Sequence, residues 1–169
     1  MTIAARHPFS PRSAPPSDGR QSPAAADIQR GTIRTLRAHG LAAVSELALA
    51  NGRRADIVGI SDKGEIWIVE IKSCVADFQS DRKWHTYREF CDRLWFAVGR
   101  DFPVEILPPD TGLILADRFG GEIVRESATE PIPAARRKSM MLRFGRTAAD
   151  RLAVLADPDL VGRSDAARG

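Results

Sequence analysis

The sequence predicts an α/β sandwich: one mixed central β-sheet flanked by helices. Three observations carry this. Short segments rich in Ile and Val, such as Ile57-Val58 and Ile66-Trp67-Ile68-Val69, are bounded by polar turns and read as strands. Longer segments with apolar residues at helical spacing lie before, between and after them. The order is helix, three strands, helix, strand, strand pair, helix, which a sheet covered on both faces accommodates. The 169 residues suffice for one domain with a real core.

Ala24 to Gly40 reads as the first helix, with Ile28, Ile33 and Leu36 apolar and Gly40 as a stop. Leu41 to Leu49 is a first strand. Arg53 to Ile60 and Glu65 to Lys72 are the next two, around the turn Ser61-Asp62-Lys63-Gly64. Asp77 to Cys91 reads as a second helix, with Trp84, Tyr87 and Cys91 at helical spacing. Leu94 to Val98 and Gly112 to Ala116 are compact apolar strands, and Glu122 to Arg125 a short edge strand after Gly120-Gly121. Pro133 opens a long helix to about Leu155, where Met141, Phe144, Ala148, Leu152 and Leu155 form one apolar stripe. Residues 1–23 and 158–169 read as disordered tails around a domain spanning 24–157.

Charged residues make up 28% and hydrophobic ones 43%, as in soluble globular proteins, and no apolar run is long enough to span a bilayer. A net charge of +3 and a pI near 9.2 favour a polyanionic partner only mildly. Cys74 and Cys91 have neither metal-site nor disulfide spacing, so a reduced, cytoplasmic protein is the simple reading.

The chemistry concentrates in the second and third strands, which carry Asp56, Glu70 and Lys72. Glu70 and Lys72 are two apart and project from one face. Charge inside a sheet is costly unless paired or metal-bound, so a functional site is the better first reading. A three-residue loop Asp62-Lys63-Gly64, with Gly left-handed, places Asp56 opposite Glu70. The same device at Ala50-Asn51-Gly52 places Glu46 opposite Asp56, aligning three carboxylates. A two-residue Asn51-Gly52 turn would instead send Glu46 to the other face. Clustered carboxylates suit Mg²⁺ or Mn²⁺, which activates water and binds a phosphate, while a nearby lysine stabilises the charge that develops. That is the equipment of phosphodiester hydrolysis.

The Asp…Glu-Xaa-Lys pattern on a hairpin after an N-terminal helix resembles the PD-(D/E)XK nuclease superfamily, with its restriction-endonuclease-like fold. The residue before Asp56 is Ala55, where that pattern often has Pro. A wider string resembles the MmcB-like DNA-repair family of alphaproteobacteria from about Ala25 to Leu152. It includes Gly52-Arg53-Arg54-Ala55-Asp56, Glu70-Ile71-Lys72-Ser73, Asp77-Phe78, Asp81, Lys83-Trp84, Tyr87, Cys91-Asp92 and Ala135-Arg136-Arg137-Lys138. The resemblance implies a metal-dependent DNA endonuclease in bacterial DNA repair, nucleoid-associated, acting on damaged or branched DNA. Carried over, Asp56, Glu70 and the Ile71 backbone carbonyl would hold Mg²⁺ or Mn²⁺, Lys72 would be the catalytic lysine, and Glu46 an additional member. Arg53, Arg54, Lys83, Arg136, Arg137 and Lys138 are the candidate DNA-phosphate contacts. Trp84 and Tyr87 read as core residues. So small a domain implies a homodimer or a repair partner. The rival reading is a catalytically silent nuclease fold that binds DNA or recruits repair proteins.

Overall fold

In the computed structural model, which describes residues 22–162, helix α1 (Pro23–Ala38) precedes strands β1 (Ala42–Ala48), β2 (Arg54–Ile60) and β3 (Ile66–Lys72). A short helix α2 (Val75–Ser80) and a 3-10 segment (Trp84–Phe90) lead to β4 (Arg93–Val98). Strands β5 (Gly112–Ala116) and β6 (Gly121–Arg125) and the long helix α3 (Ala134–Ala156) follow. The six strands form one sheet in chain order. β1, β2 and β3 are antiparallel, β3, β4 and β5 parallel, and β5 and β6 antiparallel. This is the mixed α/β sheet that the sequence predicts.

Alternation along β3 and β4 sorts the core into two layers. Trp67, Val69, Ile71, Trp95 and Ala97 pack with Ile28 and Leu36 of α1 on one face. The Trp67 and Trp95 rings stack there, 4.5 Å apart and tilted by 23°. Ile66, Ile68 and Leu94 pack with Tyr87, Phe90 and Met140 on the other. Both hairpin loops have the expected form: Gly52 and Gly64 take φ of +80° and +78°, the left-handed geometry that glycine adopts without strain. The resulting registers are the expected ones, with Leu47 facing Ala55 and Ile60 facing Ile66.

Three expectations need correction. The helix read over Asp77 to Cys91 is two pieces, because the chain leaves helical geometry at Asp81, whose carboxylate caps the Lys83 N–H at 3.1 Å and is drawn to Lys72. The apolar stripe of α3 is only half used. Phe144 and Ala148 pack on the core and Met140 is buried, but Leu152 and Leu155 are 67% and 80% exposed, and at this end of the helix it is Arg151 that meets the sheet, donating to the Ser45 and Glu46 carbonyls. Of the expected tails, Pro158–Gly162 forms a 3-10 turn and Pro23 begins α1; residues 1–21 and 163–169 lie outside the described residues.

The fold is tied together by Asp92, at the start of β4. Its buried carboxylate accepts hydrogen bonds from the N–H groups of Ile66 (2.7 Å) and Ile132 (3.0 Å). It also takes both ends of the Arg137 guanidinium, each at 2.6 Å. Burial is the largest single influence and pushes the Asp92 carboxyl up, but the Arg137 hydrogen bonds and charge together with the Ile66 and Ile132 N–H groups hold it below the usual carboxylate range. A depressed value stabilises the folded chain above the unfolded-state value, near 4, and that contribution is lost as pH falls through the folded value. Asp92→Asn should therefore cost about 3 kcal/mol at neutral pH, since it leaves Arg137 without its counter-charge. Urea unfolding should show the gap to wild type narrowing below about pH 4.

Candidate functional site

The ladder between β2 and β3 ends at the pair Ile57–Val69. One residue further on the strands part, and side chains replace the missing backbone bonds. Asp56 Oδ2 accepts the Ile71 N–H at 2.8 Å, and Glu70 Oε1 accepts the Asp56 N–H at 3.3 Å. Each carboxylate is thus fixed by the other's strand, and each retains one oxygen, Asp56 Oδ1 or Glu70 Oε2, with no protein donor among the described residues. The N–H and carbonyl of one strand residue leave the same edge of the strand. The Ile71 carbonyl accordingly leaves β3 on the edge that faces Asp56.

Glu70 and Lys72 are 3% and 4% exposed on one face of β3. Burial, then the neighbouring Asp56 charge, pushes the Glu70 carboxyl well above its ordinary value. Asp56 is also raised, mainly by burial. Lys72 lowers both but is not bonded to either. Its ammonium donates to Asp81 Oδ2 at 2.7 Å. Burial is the largest single influence and raises the Asp81 carboxyl, yet the Lys72 hydrogen bond and charge, with the Lys83 N–H and the Arg53 charge, together bring the group below its ordinary value. Asp81 is the member of the candidate site that the sequence reading did not place there. Its signal is the helix it interrupts, visible only once the distant Lys72 is beside it. Asp77 contributes locally by accepting the Ser73 N–H at 3.2 Å.

Glu46 does not complete a three-carboxylate cluster. Its neighbours Ser45 and Leu47 face Ile57 and Ala55, so it stands opposite Asp56 as expected, and its charge helps raise that group. But its backbone is left-handed, with φ of 53°, and its carboxylate is paired with the Arg54 guanidinium. Among the described residues, no three His, Cys, Asp or Glu side chains are grouped so as to hold a metal. What the site offers is two carboxylates and the Ile71 carbonyl. That hard-oxygen set fits Mg²⁺ or Mn²⁺, which are commonly held by one or two carboxylates, water and the substrate's own phosphate. The raised carboxyls fit as well, because a buried Glu70 and a half-buried Asp56 of like charge gain from a divalent cation.

The basic candidates fall into groups. Arg53 lies over the Tyr87 ring at 5.7 Å, and Arg54 is largely exposed beside Glu46. Lys83 is exposed, directly after the Lys72-binding Asp81 and Arg82. Arg136 lies 4.7 Å over the Phe90 ring and 3.6 Å from Glu89, while Lys138 is exposed with no ion pair among the described residues. Arg137 departs from expectation: with Asp92 and the Gly64 carbonyl (2.7 Å) as partners, its guanidinium is occupied in holding α3 to the sheet. Tyr87 is a core residue, as expected. Its hydroxyl donates to the Arg54 carbonyl at 3.1 Å, and its value is raised by burial and then by the Glu70 charge.

This arrangement defines an α/β domain in which paired carboxylates and a buried lysine meet where two strands separate. A family model for MmcB-like DNA repair proteins matches residues 12–159. The chain belongs to that family, which places it among DNA repair proteins. A solved structure of a Silicibacter pomeroyi protein of unknown function is 44% identical, over 83% of this chain and 96% of that one, with a TM-score of 0.79. No curated protein matches the chain.

A carboxyl whose value is raised on folding favours the folded state at low pH, and that contribution is lost as pH rises from the unfolded value, near 4.3, through the folded one. Glu70→Gln removes the repulsion. In EDTA at neutral pH the variant should melt roughly 2–4 °C above wild type for each 1 kcal/mol relieved. The two melting curves should converge below about pH 4. A variant less stable than wild type at neutral pH would show that the ionised pair is not strained.

Proposed function

We propose that this protein is a Mg²⁺- or Mn²⁺-dependent deoxyribonuclease of the PD-(D/E)XK type that acts on damaged or branched DNA in the bacterial cytoplasm. The observation that carries the reading is the pair of carboxylates braced across the parted β2 and β3 strands, with Lys72 on the same face. Asp56, Glu70 and the Ile71 carbonyl would hold the ion, which when bound supplies a Lewis acid for the phosphate and an acidified water. Lys72 is charged and buried, so its ammonium meets little competition from water in stabilising the negative charge that builds on a phosphate oxygen. Asp81 keeps that ammonium oriented and balances its charge when DNA is absent. Arg53, Arg54 and Lys83 would grip the backbone near the site, and Arg136 and Lys138 at the start of α3.

One observation favours the second reading, a DNA-binding module without cleavage. Lys72 is bonded to Asp81 rather than to either carboxylate, and among the described residues no third acidic side chain joins Asp56 and Glu70 in a group that could hold a metal.

Single-turnover assays on branched, gapped and supercoiled DNA with Mn²⁺ separate the two. Lys72→Ala should lose cleavage by at least about 100-fold with DNA binding largely kept, because its contribution is strongest in the transition state. Wild type that binds every substrate and cuts none would establish the module instead. Mn²⁺ should raise the melting temperature of wild type and much less that of Asp56→Asn; equal shifts would locate the ion elsewhere. The Arg136→Ala/Lys138→Ala pair should weaken binding across DNA sequences and flatten its dependence on salt by roughly one unit of slope per contact.

A further inference from the structure

The three parallel strands β3, β4 and β5 end side by side, at Lys72, Val98 and Ala116. Beyond those ends lies a cavity of about 640 Å³. Its position outside the carboxyl ends of parallel strands is where open α/β sheets bind ligands, and its volume is that of a small-molecule site. One wall is Ser73, Cys74 and Val75, the residues that directly follow Lys72. The cavity therefore adjoins the segment by which the chain leaves the candidate site, while sharing none of that site's carboxylates.

Its lining selects a kind of occupant. Ile28, Phe102 and Ala116 make an apolar floor, and each is buried. At the rim stand Arg100, 72% exposed and 3.8 Å from Asp117, and Arg118, whose guanidinium lies 5.4 Å over the Phe119 ring. Phe119 is itself 75% exposed, so the rim carries an open aromatic face. Asp27 and Asp101 also line the cavity. With three carboxylates against two guanidinium groups, it is no cup for a free phosphate. It suits a flat group with apolar faces and amino edges, tethered to a single negative charge.

We infer that this cavity takes one unpaired nucleotide of a DNA strand. The base would enter over the apolar floor, with its phosphate at the Arg100 and Arg118 rim. A paired base cannot enter, because its faces and edge are engaged in the duplex. Aspartates at the wall accept hydrogen bonds, so adenine and cytosine, which carry amino groups, fit better than thymine. The inference rests on the proposal that the protein binds DNA, and it would direct that activity to overhangs, gaps or flipped bases.

Cys74 gives a direct readout. It is exposed in the cavity wall, whereas Cys91 is buried with its thiol pushed up to about 12, so a maleimide should label Cys74 alone. The full-length Lys72→Ala chain with Mg²⁺ is labelled alone, with a blunt duplex, with the same duplex bearing a single-stranded adenine or thymine overhang, and with deoxyadenosine monophosphate. Binding of each DNA is followed separately by fluorescence anisotropy. The adenine overhang should slow labelling at least five-fold, the thymine overhang less and the blunt duplex hardly at all. Arg100→Ala/Arg118→Ala should weaken overhang binding about ten-fold and blunt-duplex binding little. If blunt and overhang DNA bind equally and Cys74 labels at the same rate in both, the cavity assignment is wrong while the DNA-binding reading stands. If no DNA binds, that reading fails and the assignment with it.

Discussion

The Asp92 carboxylate is the constraint on which the remaining geometry depends. It sits where β3 and β4 begin, accepts an N–H from Ile66 and another from Ile132, and takes Arg137 of α3 in a two-pronged ion pair. Four parts of the chain meet on one side chain: the end of the β2–β3 hairpin, the start of the parallel ladder, the segment leading into α3, and α3 itself. Arg137 extends the bond to the Gly64 carbonyl in the hairpin turn. Such a buried pair is costly to form and more costly to break by halves, so it fixes one arrangement more than it adds net stability.

Anchoring β3 at that end leaves its other end free to do chemistry. The strand is fully buried along its length, and its regular pairing with β4 continues to Lys72, whereas pairing with β2 stops at Val69. The gap is narrow enough for Asp56 and Glu70 to satisfy backbone N–H groups in place of the ladder. The same side chains thus bridge the parted strands, and each keeps one oxygen without a protein donor among the described residues. Part of what a carboxylate loses on burial is returned by those N–H groups, and the remainder is the raised proton affinity of the pair.

How far the site was legible in the sequence follows from which interactions are local. Gly64 announces its turn, and from it the register that sets Asp56 opposite Glu70 can be counted, whereas at Gly52 the count allows two registers and the structure adopts the one that sets Glu46 opposite Asp56. The two-residue period then puts Lys72 beside Glu70. What the count could not show is conformation that only tertiary contact decides. Glu46 turns left-handed and pairs with Arg54. Asp81 breaks a helix that the spacing of Trp84, Tyr87 and Cys91 supports, because Lys72 reaches it from β3. Arg137 sits in a basic run that suggests nucleic acid, yet its partner lies 45 residues away. Leu152 and Leu155 obey the helical period but stay exposed, while their neighbour Arg151 makes the contact with β1.

The stacked Trp67 and Trp95 rings give this architecture an optical signature. They lie on neighbouring strands β3 and β4, beneath α1 and on the face opposite Glu70 and Lys72. Two indoles held 4.5 Å apart and tilted by 23° couple their electronic transitions, which circular dichroism detects as a paired band. Trp84, the third tryptophan in the chain, belongs to the other face and packs edge-on against Phe96. One chromophore pair therefore reports whether the parallel strands remain joined, and a separate indole senses the layer that contains the candidate site. Integrity of the sheet and events at the site can be followed in the same unlabelled sample.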